Sequence, residues 1–245
     1  MRKISANHIL PVSSPPLKNG IIILDEEGSI LEIRDTGGNL REESGLEFYN
    51  GVITPGFVIP WLRFDDTESP ETALEEMDRD LLLNGIKGVG LVLRESMLSD
   101  GGFELMRDSS LIYHPVIELC PESGENEFEV FNRGIDLCSR AWNEFRLPCS
   151  LTACSHAMQN TDIGKYLDEY SSSHQNVTPS SKKYHPVKSL AELLPPHTLQ
   201  AAAEIFEDDV LGSIEPGKKP GLILVSGLDP QTFVPGEKTA VKVLV

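Results

Sequence analysis

Residues that could bind a metal or move a proton are few and widely spaced in this chain. Of its 6 histidines, four lack the spacing of metal ligands, and we expect surface or hydrogen-bonded roles for these four: His8, His114, His185 and His197. His156 follows a predicted strand, and His174 lies in a Ser-rich stretch. Arg63 is followed closely by Asp65 and Asp66, so its guanidinium could pair with a carboxylate. The histidines alone therefore predict no metal centre.

Composition restricts the classes of partner. The chain has 245 residues, 40% of them hydrophobic, which is enough to bury a substantial core. Its net charge of -17, from 38 acidic and 21 basic residues, would repel nucleic-acid phosphates and anionic lipids. No apolar run approaches the ~20 residues of a membrane helix, and the first residues lack the apolar stretch of a signal peptide. We expect a cytoplasmic globular protein with no nucleic-acid partner and no membrane partner.

The cysteines do not indicate a zinc knuckle or a thioredoxin-like motif. The chain has 4 of them, and none form a Cys-x-x-Cys pair: Cys120, Cys138, Cys149 and Cys154. We expect buried, reduced thiols.

Short strands are predicted at both ends of the chain, with a strand-and-helix alternation between them. The terminal strands fall at residues 4–10, 20–24, 29–34, 221–225 and 240–245. The turn Asp25-Glu26-Glu27-Gly28 joins two of them into a hairpin, because its glycine tolerates positive φ. In the middle of the chain, strands are predicted at 88–93, 111–119 and 149–152, although Pro115 is unusual in a central strand. Strands that alternate with helices favour parallel βα units.

One predicted helix precedes these middle strands, a second lies between the last two, and a third follows them. The first begins at Ser69 and Pro70 and stops at Gly85. The second carries five apolar residues on one face: Phe128, Phe131, Ile135, Cys138 and Trp142. Residues 171–181 read as a loop by composition. The segment 189–207 predicts a third helix that Pro195 and Pro196 should break, leaving 198–207 as its firmer half.

Two segments resemble the connections of a known family. Residues 51–58, Gly-Val-Ile-Thr-Pro-Gly-Phe-Val, are similar to the segment through which amidohydrolase-superfamily chains enter their barrel, just before a His-x-His pair. Residues 211–222, Leu-Gly-Ser-Ile-Glu-Pro-Gly-Lys-Lys-Pro-Gly-Leu, resemble the family's return segment. Residues 84–90 and 150–152 are weaker matches, the latter to the aminofutalosine deaminase and chlorohydrolase branch. The resemblance implies an α/β fold, with a small composite β-sandwich from 1–55 and 211–245 and a TIM-like (βα) barrel body at 56–210.

The expected metal ligands of that family are altered here. The His-x-His pair falls on Trp61 and Arg63, which offer only N–H donors, whereas a divalent ion needs lone pairs. The third ligand position falls on Cys154, and His156 is displaced from it by two residues, on the same strand face. The run His174-Gln175-Asn176 resembles a further ligand segment of the family, but Asn176 stands where the family has an acidic residue. We therefore expect no metal, with His156 and His174 as the weak candidates.

The predicted barrel body is also short. An eight-stranded barrel typically needs ~250 residues, and 56–210 falls well below that, so strands six to eight and their catalytic aspartate have no room. An incomplete barrel would expose strand edges and apolar faces. Either the segment 189–207 covers the open edge or two chains meet there; we favour a homodimer.

These departures favour a degenerate, non-catalytic amidohydrolase homologue, a pseudoenzyme kept for binding or assembly, with no cofactor. The alternative is a hydrolase of C–N bonds whose rebuilt site, with His156, His174 and a carboxylate, holds zinc or another divalent metal that activates water. A third alternative is a remnant with no selected activity. The metal content of the purified protein separates the first two.

Overall fold

The computed structural model describes residues 1–64, 70–120, 127–153 and 189–245. The chain divides into two compact units: the first contains the described residues of 1–58 and 162–245, and the second those of 59–161. The predicted boundaries at 55/56 and 210/211 stay a prediction. No helix in the described ranges has the length and apolar character needed to cross a membrane.

The described elements have the following bounds. The strands are, in chain order, β1 Arg2–Ile9, β2 Leu17–Lys18, β3 Ile21–Leu24, β4 Ile30–Arg34, β5 Leu46–Pro55, β6 Phe57–Arg63, β7 Ile86–Arg94, β8 Ile112–Leu119, β9 Ser150–Ala153, β10 Leu222–Ser226 and β11 Ala240–Val243. The helices are α1 Pro70–Leu83, α2 Asp100–Asp108, α3 Glu127–Arg140, α4 Leu190–His197 and α5 Leu199–Glu204. A 3-10 turn at Glu95–Met97 and a π-helical turn at Ala141–Phe145 complete the set.

The first unit is built around a sheet to which both ends of the chain contribute. Its strand order is β11-β10-β5-β1-β3-β4, with β2 paired to β1. Backbone hydrogen bonds join Ile30 of β4, at one side of the sheet, to the residues that precede β10 at the other side. Ile30 N donates to Lys218 O at 2.8 Å, and Gly217 N donates to Ile30 O at 2.8 Å. The sheet is therefore curled. This arrangement confirms the predicted composite β-sandwich.

Two apolar clusters hold this unit together. One lies inside the curled sheet and includes Ile4, Ile53 and Leu224. Neighbouring residues on the strands point to the opposite face, where Val52 and Ile223 pack with Leu190 and Leu194 of α4 in the second cluster. Helix α4 therefore packs on the first unit's sheet.

The predicted hairpin turn forms as expected between β3 and β4. Asp25 Oδ1 accepts hydrogen bonds from Glu27 N at 2.9 Å and from Ser29 N at 2.8 Å. Gly28 has a φ of 88°, a conformation that costs glycine little and other residues more. The conformation of this turn could therefore be predicted from its own residues.

The second unit contains βα units, as predicted. Its sheet has the order β6-β7-β8-β9, and β7, β8 and β9 are parallel. Helices α1, α2 and α3 connect consecutive strands. Pro70 occupies the first position of α1, and Gly85 follows the helix with a φ of 78°. The described part of the sheet thus supplies four strands of a barrel-like, mixed α/β arrangement.

Helix α3 packs on a face other than its most apolar one. The helix contacts the sheet through Val130, which packs with Ile117 and Leu119. A Cβ on Gly134 would lie 2.5 Å from Leu119 Cδ1, so the close approach of helix and strand needs glycine there. Of the predicted apolar face, Cys138 packs against this cluster, whereas Phe131, Ile135 and Trp142 are exposed.

The segment 189–207 is broken into two helices, as expected, but the break falls at Thr198, and the part after it is the shorter helix and not the firmer half. Helix α4 includes both prolines and ends one residue later at His197. The chain turns at Thr198, whose hydroxyl donates to Leu194 O at 2.7 Å, and α5 follows. The bend therefore falls just after the two prolines.

Candidate functional site

Four strand ends come together at one edge of the second unit's sheet. Parallel strands bring their carboxyl ends to the same edge, so β7, β8 and β9 end side by side. Arg94 in β7 lies opposite Glu118 in β8, and Glu118 lies opposite Thr152 in β9. Just beyond β6, Phe64 N donates to Val92 O at 3.0 Å, which anchors the end of β6 beside β7.

Arg63, at the end of β6, forms a bidentate ion pair with Glu118. Its Nη1 donates to Glu118 Oε2 at 2.9 Å, and its Nη2 donates to Oε1. The side chain of Glu118 is 1% exposed and that of Arg63 is 19% exposed. A fork of two parallel bonds is the strongest geometry available to this pair. The predicted pairing of Arg63 with a carboxylate is confirmed for Glu118, whereas Asp65 and Asp66 lie outside the described residues.

A second arginine approaches the same carboxylate. Arg94 Nε lies 3.7 Å from Glu118 Oε2, and the Arg94 side chain is 47% exposed. We call these three residues the Arg–Glu–Arg cluster: Arg63, Glu118 and Arg94. The cluster lies at the carboxyl edge of the sheet.

The buried carboxylate of Glu118 depends on Arg63 for its stability. Taking an ionised carboxylate out of water costs several kcal/mol, and this cost is offset only when a well-placed partner and hydrogen bonds replace the solvent. Arg63 supplies both the charge and two hydrogen bonds. The pair is therefore a unit whose members cannot be removed singly without a large loss of stability.

His114 lies on the same face of β8, four residues before Glu118, since alternate strand residues share a face. It is buried, and its Nε2 is 2.8 Å from Ser150 Oγ in β9. Burial lowers the pKa of His114 because desolvation disfavours the charged imidazolium. The predicted hydrogen-bonded role of this histidine is confirmed, and burial favours its neutral form.

The described residues at this edge do not fit a divalent metal. Trp61 and Arg63 share a face of β6, and both side chains only donate hydrogen bonds. The carboxylate that could serve as a ligand, Glu118, is already held by a fixed positive charge. No group of three or more His, Cys, Asp or Glu suited to a metal occurs within the described ranges. The candidates Cys154, His156 and His174 lie outside those ranges.

A second feature of this unit is an open cavity of about 530 Å³ beside α3. Its lining includes Glu95 and Arg133, which form an ion pair with each other. Arg140, also in the lining, pairs with Asp100. Both arginines of the groove thus have carboxylate partners, which reduces the charge that they offer a ligand. The strand edge, where the family resemblance places the metal-binding pair, is therefore the stronger candidate.

Sequence reasoning did not identify Glu118 as the partner of Arg63. The two residues are 55 positions apart, and no spacing rule links them. A signal was present in the run Val116-Ile117-Glu118-Leu119, where one carboxylate interrupts an apolar strand. An ionisable residue in a buried strand needs a partner, and the ends of neighbouring strands are where that partner should be sought.

The comparisons with known proteins concern the fold. No protein-family model matches the chain, and no curated protein sequence matches it. Among solved structures, guanine deaminase from E. coli is similar with a TM-score of 0.58 at 11% identity, over 94% of this chain and 90% of that one. N-acetylglucosamine-6-phosphate deacetylase from Pasteurella multocida gives 0.57 at 13% identity, over 99% of this chain and 100% of that one.

A Xaa-Pro dipeptidase is also similar, with a TM-score of 0.57 at 10% identity, over 92% of this chain and 94% of that one. At such low identities the likeness establishes the fold and nothing finer. It agrees with the two connecting segments at 51–58 and 211–222 that carry the sequence resemblance. This chain therefore has the fold of the amidohydrolase superfamily.

Proposed function

We propose that this chain is a non-catalytic, metal-independent protein of the amidohydrolase fold, which binds a small molecule at the carboxyl edge of β6 to β9. The observation that carries the proposal is the bidentate pair between Arg63 and Glu118. Arg63 stands where the family resemblance puts the second histidine of the metal-binding pair. A guanidinium thus provides the positive charge at a position where the family would hold a metal ion.

Chemistry supports a binding role over a hydrolytic one. A metal-dependent hydrolase uses its ion to lower the pKa of a bound water and generate a nucleophile at neutral pH. A guanidinium has no lone pair to give and does not coordinate water as a metal does. Glu118 is engaged by Arg63, so it is poorly placed to act as a general base. The pair positions charge and does not generate hydroxide.

The carboxyl ends of the strands remain suited to a ligand. In barrels of parallel strands, ligands bind at this edge because the loops that follow the strands surround it. Arg94 reaches solvent there, with nearly half of its side chain exposed. A binding surface at this edge therefore does not depend on catalytic groups.

The alternative is a metal-dependent hydrolase of C–N bonds with a rebuilt site. It is favoured by the shared fold of a guanine deaminase and a deacetylase. In this alternative His156, His174 and a carboxylate hold zinc or another divalent metal that activates water.

Metal analysis of the purified protein separates the two. We expect substoichiometric zinc by elemental analysis, and no tight zinc binding in a calorimetric titration. As a positive control, the variant carrying Trp61→His and Arg63→His introduces two imidazole ligands and should bind zinc more tightly than the native chain; circular dichroism verifies that it folds without the Arg63–Glu118 pair. One equivalent of zinc in the native protein, lost in His156→Ala or His174→Ala, would establish the alternative.

The homodimer stays a proposal alongside this function. Exposed apolar residues support an apolar contact with a second copy of the chain: Phe131 and Ile135 in α3, and Trp142 in the π-helical turn that follows it. Light scattering of the purified protein should give twice the chain mass, and Trp142→Glu should shift it toward the monomer. A monomeric native chain across the accessible concentration range would refute the dimer.

A further inference from the structure

We propose that Cys138 and Cys149 are a redox-active thiol pair, which hydrogen peroxide converts into a reversible disulfide. Cys138 lies near the end of α3, and Cys149 directly precedes the first residue of β9. The bond would therefore link a helix to the strand that follows it. This inference goes beyond the proposed function and does not depend on it, because neither cysteine belongs to the Arg–Glu–Arg cluster.

The packing of α3 on β9 brings the two cysteines together. A Cβ on Gly134 of α3 would lie 3.0 Å from Leu151 Cδ1 of β9, so helix and strand approach closely at this point. Cys138 is four residues after Gly134 and lies on the same face of the helix. Cys149 is two residues before Leu151 and lies on the same side of the extended chain. Both cysteines pack against one apolar cluster, which includes Leu119.

The two thiols are in contact. Their side chains form a hydrogen bond with each other, and both are free thiols in this structure. Burial, together with the hydrogen bond to Cys138 and its charge, raises the pKa of the Cys149 thiol. The thiolate is the nucleophile in thiol oxidation, so a thiol that stays protonated is a poor first attacker. Cys138 is therefore the attacking residue, and Cys149 resolves the intermediate.

The oxidation balances with one molecule of peroxide. The Cys138 thiolate attacks one peroxide oxygen, the O–O bond breaks, and the hydroxide that leaves takes up the proton of the thiol; Cys138 becomes a sulfenic acid. The Cys149 sulfur then attacks the Cys138 sulfur, its proton passes to the departing hydroxyl group, and water leaves as the S–S bond forms. The two sulfurs lose two electrons, and the peroxide becomes two molecules of water. Dithiothreitol reverses the change by thiol–disulfide exchange.

Access and chain geometry suit this reaction. Both cysteines are half-buried, which leaves room for a small oxidant. A disulfide needs two Cα atoms within about 7 Å of each other, a separation that the close approach at Gly134 favours. The bond would close the segment 138–149, which contains the π-helical turn at Ala141–Phe145. Closing a loop restricts the unfolded chain, so the disulfide should stabilise the second unit.

The test is oxidation of the whole chain with hydrogen peroxide, followed by alkylation of the remaining thiols, digestion with trypsin and mass spectrometry. We expect a link between peptide 134–140, which contains Cys138, and peptide 147–165, which contains Cys149 and Cys154. Fragmentation of the linked peptides distinguishes Cys149 from Cys154. Dithiothreitol should remove the link. A link through Cys154 or Cys120 in place of Cys149 would overturn the proposal, and so would oxidation of Cys138 without any link.

Two variants separate the roles of the thiols. In Cys149→Ser the link should be lost, and dimedone should trap a sulfenic acid on Cys138, because the resolving thiol is gone. The matched control is Cys120→Ser. Cys120 is another half-buried free thiol of the same unit, and its loss should leave the link unchanged. Equal linkage in the native chain and in Cys149→Ser would refute the pair.

The stability of the oxidised chain provides a second readout. Tryptophan fluorescence follows thermal unfolding of the second unit, and Trp142 lies within the segment that the disulfide would close. We expect oxidation to raise the melting temperature of the native chain by about 5 °C or more, and dithiothreitol to reverse the rise. Cys149→Ser should show no such rise. An unchanged or lower melting temperature in the linked native chain would overturn the proposal, because the bond would then form only in a distorted fold.

Discussion

The two units differ in the polar side chains that they bury. In the first unit, every described buried polar side chain is a hydroxyl: Ser5, Thr36, Thr54, Thr198 and Ser213. In the second unit, the described buried polar side chains are His114 and Glu118. Hydroxyls can complete their hydrogen bonds locally, whereas a buried carboxylate or imidazole needs a specific environment. The first unit therefore buries only polar groups that suit a structural role, whereas the second unit buries ionisable groups that need specific partners.

Charged pairs reinforce this difference. The first unit has half-exposed ion pairs between Arg2 and Glu47 and between Arg34 and Glu32. Such pairs contribute little to stability because water screens them. The Arg63–Glu118 pair of the second unit is mostly removed from water. Buried ionisable groups cluster at functional sites more often than elsewhere, which agrees with a site at the carboxyl edge of this unit.

The largest expected effect comes from breaking the buried pair. Glu118→Leu leaves Arg63 without this carboxylate and should lower the free energy of unfolding of the second unit by about 3 kcal/mol or more. Urea unfolding followed by tryptophan fluorescence measures it selectively, because the chain's 2 tryptophans, Trp61 and Trp142, both lie in this unit.

The matched control for that experiment is the double variant Glu118→Leu with Arg63→Met. Replacing both charges with apolar side chains of similar volume should recover most of the lost stability, because no uncompensated buried charge remains. A double variant as unstable as Glu118→Leu would contradict this account and would attribute the loss to packing.

A smaller effect is expected from trimming the apolar core of the first unit. Ile53 in β5 is fully buried, and Ile53→Val should cost about 1 kcal/mol through one lost methylene group. Urea unfolding followed by far-ultraviolet circular dichroism gives the value. Leu31→Val in β4, an exposed position of the same unit, is the control and should change stability little. Equal losses at the two positions would contradict the assignment of the core.

The parts of the fold that the sequence predicted are those set by local chemistry. The hairpin at Gly28, the start of α1 at Pro70 and its end before Gly85 all depend on residues within a few positions of one another. The connecting segments at 51–58 and 211–222 carried the family resemblance, which the shared fold confirms.

What escaped prediction depends on tertiary contacts. Helix α2 was not identified, since Gly101 and Gly102 stand in its first turn and glycine disfavours helix interiors. An apolar face of α3 was predicted, but the helix contacts the sheet through Val130 and Gly134. Close packing of a helix on a sheet depends on the shapes of the contacting residues more than on the number of apolar residues in one face.

The candidate site was predictable only in part. The residue type at Arg63 ruled it out as a metal ligand, and its need for a carboxylate followed from its charge. The identity of Glu118 as that carboxylate depends on the alignment of β6, β7 and β8, which is a property of the folded sheet. Arg94 entered the cluster for the same reason, through its place opposite Glu118.

The smallest expected effect concerns an exposed pair of the first unit. Arg2 bonds Glu47 at 2.6 and 2.8 Å, and Tyr49 donates to the same carboxylate at 2.7 Å. The bond from Arg2 and then that from Tyr49 lower the pKa of Glu47 from 4.5 to about 2. A depressed carboxyl pKa contributes stability above the unfolded-state pKa, and this contribution is lost as the pH falls from about 4.5 to about 2.

Because solvent screens this pair, we expect Glu47→Gln to cost at most about 1 kcal/mol at pH 7. The loss should shrink at pH 3, because the carboxyl is then largely protonated in the unfolded state, whereas the native carboxylate, with its pKa of about 2, is still mostly ionised. Urea midpoints from circular dichroism at the two pH values measure this, and Glu26→Gln, at a highly exposed carboxylate in the same unit, is the control. If Glu47→Gln matched the cost of Glu118→Leu, the exposed and buried pairs would be energetically alike, and the contrast between the two units would not hold.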